Sequence, residues 1–279
     1  MEDKHTMLAE GIPFFGVYDG HGGTGCAEYL RDNLHRLILS HPEVKTQPDK
    51  ALREGILEAD RAFLKKCEAE QTDSGCVCAV VLLVGDKLVV GNVGDTEIVL
   101  CRDGKATALT TKHSPKFDPT EADRIRAVGG KMIGHRVAHP KFNGRACSLA
   151  VSRAIGDATF KLDSYTGGQP SGIIAEPYTT VRRITPQDEF LVIGCDGLWD
   201  VLTHQEVVDI CRQCDDDGAT PHMITEALVD EAMLRGSTDN VTVAFVSIQS
   251  IPHGDLSRNR SSAFSISRKG SDCYSMSGK

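Results

Sequence analysis

Acidic residues beside strand-like runs are the side chains of this sequence best suited to chemistry. Asp19 ends the run FFGVY and is followed by Gly20-His21-Gly22-Gly23, Asp196 ends FLVIGC, and Asp239 directly precedes VTVAFV. A further pair, Glu2-Asp3, precedes the run HTMLAE. Loops on a rigid sheet gather residues that are distant in the chain. We therefore predict that these carboxylates lie together at strand ends.

A cluster of this kind is chemically useful only if cations compensate its charge. Two carboxylates about 5 Å apart repel by roughly 3 kcal/mol at an effective dielectric of about 20. Several such pairs together exceed the ~5–15 kcal/mol stability of a typical domain. Oxygen ligands favour Mg²⁺ or Mn²⁺ over Zn²⁺. The alternative is that each acid only caps a turn, as Asp-Gly pairs often do, and for any single acid that is the preferred interpretation.

The glycines after Asp19 also fit a second kind of site. Gly20-x-Gly22-x-x-Gly25 matches a dinucleotide-binding turn between a strand and a helix. That fold needs a second parallel strand after the helix, with an acid about twenty residues beyond the glycines. Residues 41–50 read HPEVKTQPDK, with two prolines and no strand pattern, so the match is interpreted as chance.

Two cysteine patterns suggest other chemistry, and neither is favoured. Cys147 and Arg153 have the Cys-x5-Arg spacing of cysteine-dependent phosphatases, but the intervening SLAVS contains no glycine that would let backbone N–H groups converge on a phosphate. Cys211 and Cys214 form a single C-x-x-C without a second pair at zinc spacing. We expect neither a thiol nucleophile nor a zinc site.

The elements that must position the acids can be read from the hydrophobic periods. Helical spacing covers residues 24–39 and about 49–69, and short strands then follow in what reads as an antiparallel meander, namely CVCAVVLLV, KLVVGNV, EIVLCR and ATAL. Asp118 is predicted to cap a short helix, with Glu121 completing a capping box, and Thr203 and Thr220 begin two more helices. Residues 131–147 are predicted to be an irregular, mobile flap.

Charge and composition exclude several classes of protein. The formal net charge of −8 argues against a nucleic-acid-binding surface. The longest apolar run, Cys76 to Val84, is too short to cross a bilayer. The N-terminal residues MEDKHTM have no basic or apolar region of the kind found in secretory signals, so none is expected. Since the ten cysteines lie largely inside apolar runs, we expect reduced thiols and a cytoplasmic location, with the nucleus as an additional one.

Two regions are expected along the chain. Residues 1–249 carry all of the periodic segments and are predicted to form the catalytic domain. Residues 250–279 are rich in Ser and Arg and show no apolar period, so they are predicted to be a disordered tail.

Six short motifs, taken in order, resemble a known family. They are Met1-Glu2-Asp3, Asp19-Gly20-His21-Gly22-Gly23, Gly94-Asp95, Ser152-Arg153-Ala154-Ile155-Gly156-Asp157, Asp196-Gly197-Leu198-Trp199-Asp200 and Gly236-Ser237-Thr238-Asp239-Asn240. The set resembles the metal-dependent serine/threonine phosphatases of the protein phosphatase 2C family. The resemblance implies an α+β fold, a four-layer α/β/β/α sandwich of two mainly antiparallel sheets flanked by helix pairs. The helix–helix–meander order agrees with it independently.

The resemblance also implies a site and a reaction. Two Mg²⁺ or Mn²⁺ ions would be held by residues at the matching ligand positions, which are Glu2, Asp19, the Gly20 carbonyl, Asp196 and Asp239. Asp157 and Asp200 match a third, weaker metal position. A metal-activated water would hydrolyse phosphoserine and phosphothreonine in protein substrates, with His21 as the general acid that protonates the leaving oxygen. Phosphoproteins are the expected partners, and the expected state is a monomer.

The start of the sequence departs from the family pattern. The family carries a phosphate-binding arginine a few residues before the Glu-Asp pair, and a strand before that, whereas this sequence begins at Met1. The sequence is therefore expected to be either an N-terminal truncation or a short form with a weakened site. If the site is not weakened, Arg145 or Arg153 is the candidate that replaces the missing arginine. An unpaired sheet edge would also allow a dimer paired through edge strands. The alternative function is a binding module that keeps the phosphatase fold and has little catalysis.

Overall fold

The computed structural model describes residues 1–142, 147–248 and 264–270. Its helices are α1 (Gly25–Leu39), α2 (Pro48–Glu70), α3 (Pro119–Ala127), α4 (Ala158–Lys161), α5 (Asp163–Thr166), α6 (Asp196–Trp199), α7 (His204–Asp216) and α8 (Pro221–Leu234). Its strands are β1 (Lys4–Leu8), β2 (Phe14–His21), β3 (Gly75–Val84), β4 (Lys87–Val93), β5 (Glu97–Arg102), β6 (Lys105–Ala108), β7 (Lys131–Ile133), β8 (Arg136–Ala138), β9 (Ser148–Leu149), β10 (Ile155–Gly156), β11 (Tyr178–Arg183), β12 (Asp188–Gly194), β13 (Val241–Ser247) and β14 (Phe264–Lys269). In these described parts, no helix combines the length and the apolar character needed to span a membrane.

Two antiparallel sheets form the centre of the molecule. The first sheet has the strand order β1-β2-β3-β4-β11, with β10 paired to β3, and the second has the order β14-β13-β12-β5-β6. Buried side chains between the sheets include Val17, Val81 and Leu100. The long helices α1 and α2 cover the first sheet, whereas α7 and α8 cover the second. The predicted α/β/β/α sandwich is confirmed.

The predicted meander is wrong in one respect, because its four strands divide between the two sheets. Strands β3 and β4 form a hairpin in the first sheet, and β5 and β6 form one in the second. The chain crosses between the sheets at Gly94, whose φ of +92° favours glycine, and Asp95. A strand buried on both faces, such as Cys76 to Leu83 in β3, has the same local pattern in either sheet.

The segment predicted to be an irregular flap contains regular structure. Strands β7, β8 and β9 form a small antiparallel sheet, in which Ile133 pairs with Arg136 across a tight turn. Gly134 has φ of +60° at that turn, a conformation that favours glycine and allows a tight hairpin. The basic composition of the segment gave no sign of this hairpin. Residues 143–146, including the candidate Arg145, lie outside the described residues.

The segment predicted to be a disordered tail also contains a strand. Strand β14 pairs antiparallel with β13, and its Phe264 and Ile266 pack between the sheets. The Phe264 ring lies 5.3 Å from that of Phe15, centroid to centroid. The prediction of disorder is therefore wrong for these six residues. Two alternating apolar side chains are enough to order them as a strand, because the neighbouring strand β13 supplies backbone hydrogen bonds. Residues 249–263 and 271–279 lie outside the described residues.

Candidate functional site

Asp19 and Asp196 meet between the two sheets. Asp19 lies near the end of β2 in the first sheet, and Asp196 begins α6 two residues after the end of β12 of the second. Together with Cys195 they offer ligand atoms that all lie within 4.8 Å of one another. Asp239, two residues before β13, is exposed, and its charge acts on both of the other acids.

The electrostatics of this group reflect crowded negative charge. Burial, together with the charges of Asp95 and Asp239, raises the pKa of Asp196 to about 7. Burial likewise raises the pKa of Asp19 well above its ordinary value, with Asp196 and Asp3 adding to the effect. Each carboxylate is thus costly to ionise beside the others. A divalent cation would remove that cost, so the group fits a metal centre.

The ligand atoms that this group offers suit a hard cation. Burial raises the pKa of the Cys195 thiol well above its ordinary value, so the sulfur stays protonated. Its Sγ donates to the Asn240 carbonyl oxygen and accepts from the Thr242 N–H, at 3.1 and 3.2 Å. The ligands left to the site are oxygens, which favour Mg²⁺ or Mn²⁺.

Glu2 and Gly20 lie against each other at the edge of the group. The Glu2 N–H donates to Asn240 Oδ1 at 3.0 Å, and its Oε1 accepts from the Gly23 N–H at 2.7 Å. A Cβ at Gly20 would lie 2.9 Å from the Glu2 carbonyl oxygen, so a side chain there would displace the chain that carries Glu2. The segments that carry the predicted ligands are therefore held next to one another.

His21 pairs with Asp157. The His21 Nε2 lies 3.0 Å from both carboxylate oxygens of Asp157, which is buried. Burial alone lowers the pKa of His21, but the hydrogen bond and charge of Asp157 outweigh it, and the net direction is upward. The pair needs Gly75 on the adjacent strand, because a Cβ there would lie 2.1 Å from Nε2. The protonated imidazole favoured by this arrangement is suited to donate a proton.

Asp157 contacts the histidine in the structure. It was predicted to share a third metal position with Asp200, but its carboxylate contacts His21, and its φ of +55° is unusual for a residue other than glycine. Asp200 instead acts on Asp95 and Asp196, raising the pKa of both. The Asp157 carboxylate therefore lies against the histidine, and the third metal position shared by Asp157 and Asp200 stays a prediction.

Two acids that belong to the quoted motifs, but were not predicted as site residues, join the group. Asp95 lies in the loop where the chain crosses between sheets, and burial raises its pKa to about 6, with the cation of Lys112 opposing the rise. Asp3 is almost fully buried, and its Oδ2 accepts from Thr242 Oγ1 at 2.6 Å. The sequence signal for both was an acid beside a strand, the same signal that identified Asp19.

Arg153 is committed to a buried ion pair and is not supported as a phosphate-binding residue. Its Nη2 and Nε donate to the two carboxylate oxygens of Glu121 at 2.6 and 3.1 Å, and its Nη1 donates to the Glu176 carbonyl at 2.9 Å. Glu121 also accepts from Arg124 and from Ser152 Oγ, so the predicted capping box is replaced by this network. The predicted N-cap at Asp118 is confirmed, since its side chain accepts from the Thr120 N–H.

Replacing the buried Glu121 with Gln is expected to destabilise the fold by about 3 kcal/mol, because it leaves two partly buried guanidinium groups without their counter-charge. Burial alone raises the pKa of this carboxyl, but the hydrogen bonds it accepts outweigh burial and hold the pKa well below its ordinary value. The stabilisation is therefore full above the unfolded pKa and declines as the pH falls toward the folded one. Urea unfolding of both proteins between pH 3 and pH 7 measures it.

The matched control is Asp123→Asn on the same helix. Asp123 pairs with Arg126 at 3.0 Å, but its side chain is 78% exposed. Its loss should change the free energy of unfolding by less than about 1 kcal/mol. Equal effects of the two substitutions would reduce the Glu121 network to an ordinary surface ion pair.

Cys147 has little character of a nucleophile. Burial raises the pKa of its thiol, which keeps the sulfur protonated at neutral pH. The guanidinium of Arg153, the other end of the Cys-x5-Arg spacing, is bound to Glu121. The interpretation of this spacing as chance is consistent with both observations.

Comparison with known proteins agrees on one family. The family model described as protein phosphatase 2C matches residues 1–241. The probable protein phosphatase 2C 42 of Oryza sativa subsp. japonica is 33% identical and covers 88% of this chain and 80% of its own. The protein phosphatase 2C homolog 2 of Schizosaccharomyces pombe is 37% identical, and the match covers 88% of this chain and 69% of that protein. The probable protein phosphatase 2C 22 of Arabidopsis thaliana is 38% identical, and the match covers 87% of this chain and 60% of that protein. The chain thus spans under two thirds of some curated relatives and more of others.

Solved structures share the fold. The serine-threonine phosphatase 2C from Toxoplasma gondii superposes with a TM-score of 0.76 at 25% identity, covering 88% of this chain and 90% of that one. A C. elegans sex determining protein superposes with a TM-score of 0.72 at 23% identity, covering 88% of this chain and 61% of that one. This likeness supports the fold alone.

Proposed function

The chain belongs to the protein phosphatase 2C family, and from this premise we propose that it is a metal-dependent enzyme that hydrolyses phosphoserine and phosphothreonine in proteins. The observation that carries the proposal is the group of half-buried carboxylates between the sheets, next to the His21–Asp157 pair. Such a group could hold cations beside a proton donor, the combination that metal-assisted hydrolysis of a phosphate monoester uses.

The residues proposed to hold two Mg²⁺ or Mn²⁺ ions are those predicted from the resemblance, Glu2, Asp19, the Gly20 carbonyl, Asp196 and Asp239. When bound, such ions supply a water of lowered pKa and neutralise charge on the phosphate. Asp157 and Asp200 are the residues proposed for a third, weaker cation position. Asp95 is a further candidate, since it raises the pKa of Asp196 as Asp200 does. Asp3 supports the group through its hydrogen bond to Thr242.

His21 is proposed to protonate the leaving serine or threonine oxygen. Its ring is oriented by the two oxygens of Asp157, and it follows Asp19 by two residues on the same strand. An alkoxide is a poor leaving group, so a positioned acid contributes most where the substrate is an alkyl phosphate. Phosphoproteins are the proposed partners, and the monomeric state stays a prediction.

Hydrolysis of a phosphothreonine peptide tests the proposal. We expect turnover with millimolar Mg²⁺ or Mn²⁺, none with EDTA, and full turnover after thiol alkylation, because no cysteine takes part. A chain that binds Mn²⁺ but leaves the peptide intact would favour the alternative, a binding module with the phosphatase fold. Loss of turnover on alkylation at unchanged metal content would restore Cys147 as a nucleophile. The complete carboxylate group and the oriented histidine favour the enzyme.

A further inference from the structure

The C-terminal strand β14 reaches the edge of the carboxylate group. Its antiparallel register with β13 places Arg268 opposite Thr242 and Lys269 opposite Val241. Strand β13 begins two residues after Asp239, so the last residues of β14 lie at the same end of the second sheet as that acid. A Cβ at the following Gly270 would lie 3.6 Å from Met1 Cε, which brings β14 alongside the Glu2–Asp3 segment.

Two neighbouring positions of the second sheet hold Asp3. Thr242 Oγ1 donates to Asp3 Oδ2 at 2.6 Å, and Arg268 Nη1 donates to the Asp3 carbonyl oxygen at 3.3 Å. Residues directly opposite on paired strands share a face of the sheet, which explains how both reach the same residue. Asp3 is followed by β1 of the first sheet. The two contacts therefore tie the sheets together beside Glu2.

Strand β14 is anchored independently on both of its faces. Phe264 and Ile266 pack between the sheets on the face that carries Arg268. On the opposite face Ser267 Oγ lies 2.8 Å from Thr225 Oγ1 of α8, and Lys269 Nζ lies 3.4 Å from Asp230 Oδ1. Lys269 has the same charge as its neighbour but points to α8 and contacts a surface acid.

We propose that Arg268 is a positioning residue for the metal centre. By binding the Asp3 main chain it fixes the Glu2–Asp3 segment relative to the acids of the second sheet, so the functional unit includes β14. The inference rests on the proposed function for its meaning in catalysis, but the positioning itself concerns cation binding and can be measured without turnover.

The direction of the effect separates positioning from charge. A cation close to the carboxylates opposes the binding of divalent ions, so removing its charge alone would tighten Mn²⁺ binding. Removing a contact that orients the ligands has the opposite effect, and partners of this kind typically change metal affinity by about 10–100-fold. The sign of the change in Mn²⁺ affinity therefore distinguishes the two roles.

The experiment compares Arg268→Gln, Arg268→Lys and the control Lys269→Gln in the full chain. Electron paramagnetic resonance of free Mn²⁺ gives the binding isotherm, and phosphopeptide hydrolysis gives kcat and KM at saturating Mn²⁺. For Arg268→Gln we expect Mn²⁺ binding about tenfold weaker and a lower kcat with little change in KM. Arg268→Lys should recover part of both, and Lys269→Gln should match the unaltered chain.

Three results would overturn the inference. Unchanged or tighter Mn²⁺ binding in Arg268→Gln would mean that this residue acts only through its charge. Equal losses of Mn²⁺ affinity and kcat in Lys269→Gln would mean that either substitution simply detaches β14 from the sheet. A raised KM at unchanged Mn²⁺ affinity would make Arg268 a substrate contact. If the unaltered chain binds Mn²⁺ but hydrolyses no phosphopeptide, the proposed function fails, while the isotherms still decide the role of Arg268.

Discussion

Asp196→Asn is expected to weaken Mn²⁺ binding and to lower phosphopeptide turnover by at least about a hundredfold, and Asp239→Asn is expected to do the same. An amide keeps the shape of the carboxylate but loses its charge and one anionic oxygen, so the cation loses a ligand while the fold is kept. Mn²⁺ titration followed by phosphopeptide kinetics measures both quantities. Retained binding and turnover in both variants would reduce these acids to turn caps.

Stability without metal gives this prediction a second, independent signature. The pKa of Asp196 is raised to about 7, first by burial, so its ionised form destabilises the metal-free fold. A raised pKa means that this stability is present at low pH and is lost as the pH rises through the folded pKa. At pH 8, therefore, metal-free Asp196→Asn should melt above the unaltered chain, although it turns over more slowly. A lower melting temperature would contradict ligand crowding.

Asp32→Asn is the matched control for charge. Asp32 lies on α1, shortly after the turn that carries His21, and its side chain is 56% exposed and bonded to Arg31. The substitution removes the same charge as Asp196→Asn from the same molecule. Mn²⁺ affinity and turnover should both be retained, because an exposed charge is screened by solvent and salt.

His21→Ala is expected to slow hydrolysis of phosphoserine peptides by about 10²–10⁴-fold, the usual contribution of a general acid. An activated aryl phosphate leaves without protonation, so its hydrolysis should slow far less. The ratio of kcat/KM for the two substrates, measured at saturating Mn²⁺, is the readout. Equal losses on the two substrates would mean that His21 only supports the turn.

Asp157→Asn tests the orientation of the histidine. The Asp157 carboxylate holds His21 Nε2 and raises the histidine pKa, so its loss should lower the pH above which alkyl phosphate turnover declines. Hydrolysis of the aryl phosphate should again change little. A pH profile identical to that of the unaltered chain would separate Asp157 from the proton transfer.

Local pattern was sufficient for the long helices of this protein and for its group of carboxylates. Apolar periods predicted α1 and α2, and cap residues such as Thr203 marked where later helices begin, because both signals depend on neighbours within a few residues. Acids next to strand ends predicted a carboxylate group, and Asp19 and Asp196 do meet. The family followed from six motifs in order and is confirmed.

Only the tertiary structure decided which strands share a sheet and which acids share a neighbour. Strands β4 and β5 were predicted as neighbours in one meander but lie in different sheets. The pattern of a fully buried strand does not indicate which strand it pairs with. Asp157 contacts His21 because Gly75, on another segment, leaves room for that pair. Strand β14 is ordered by the edge of β13, and it carries Arg268 to Asp3 across 265 residues of sequence. Such contacts depend on pairing between distant segments, and the period of a single segment does not encode them.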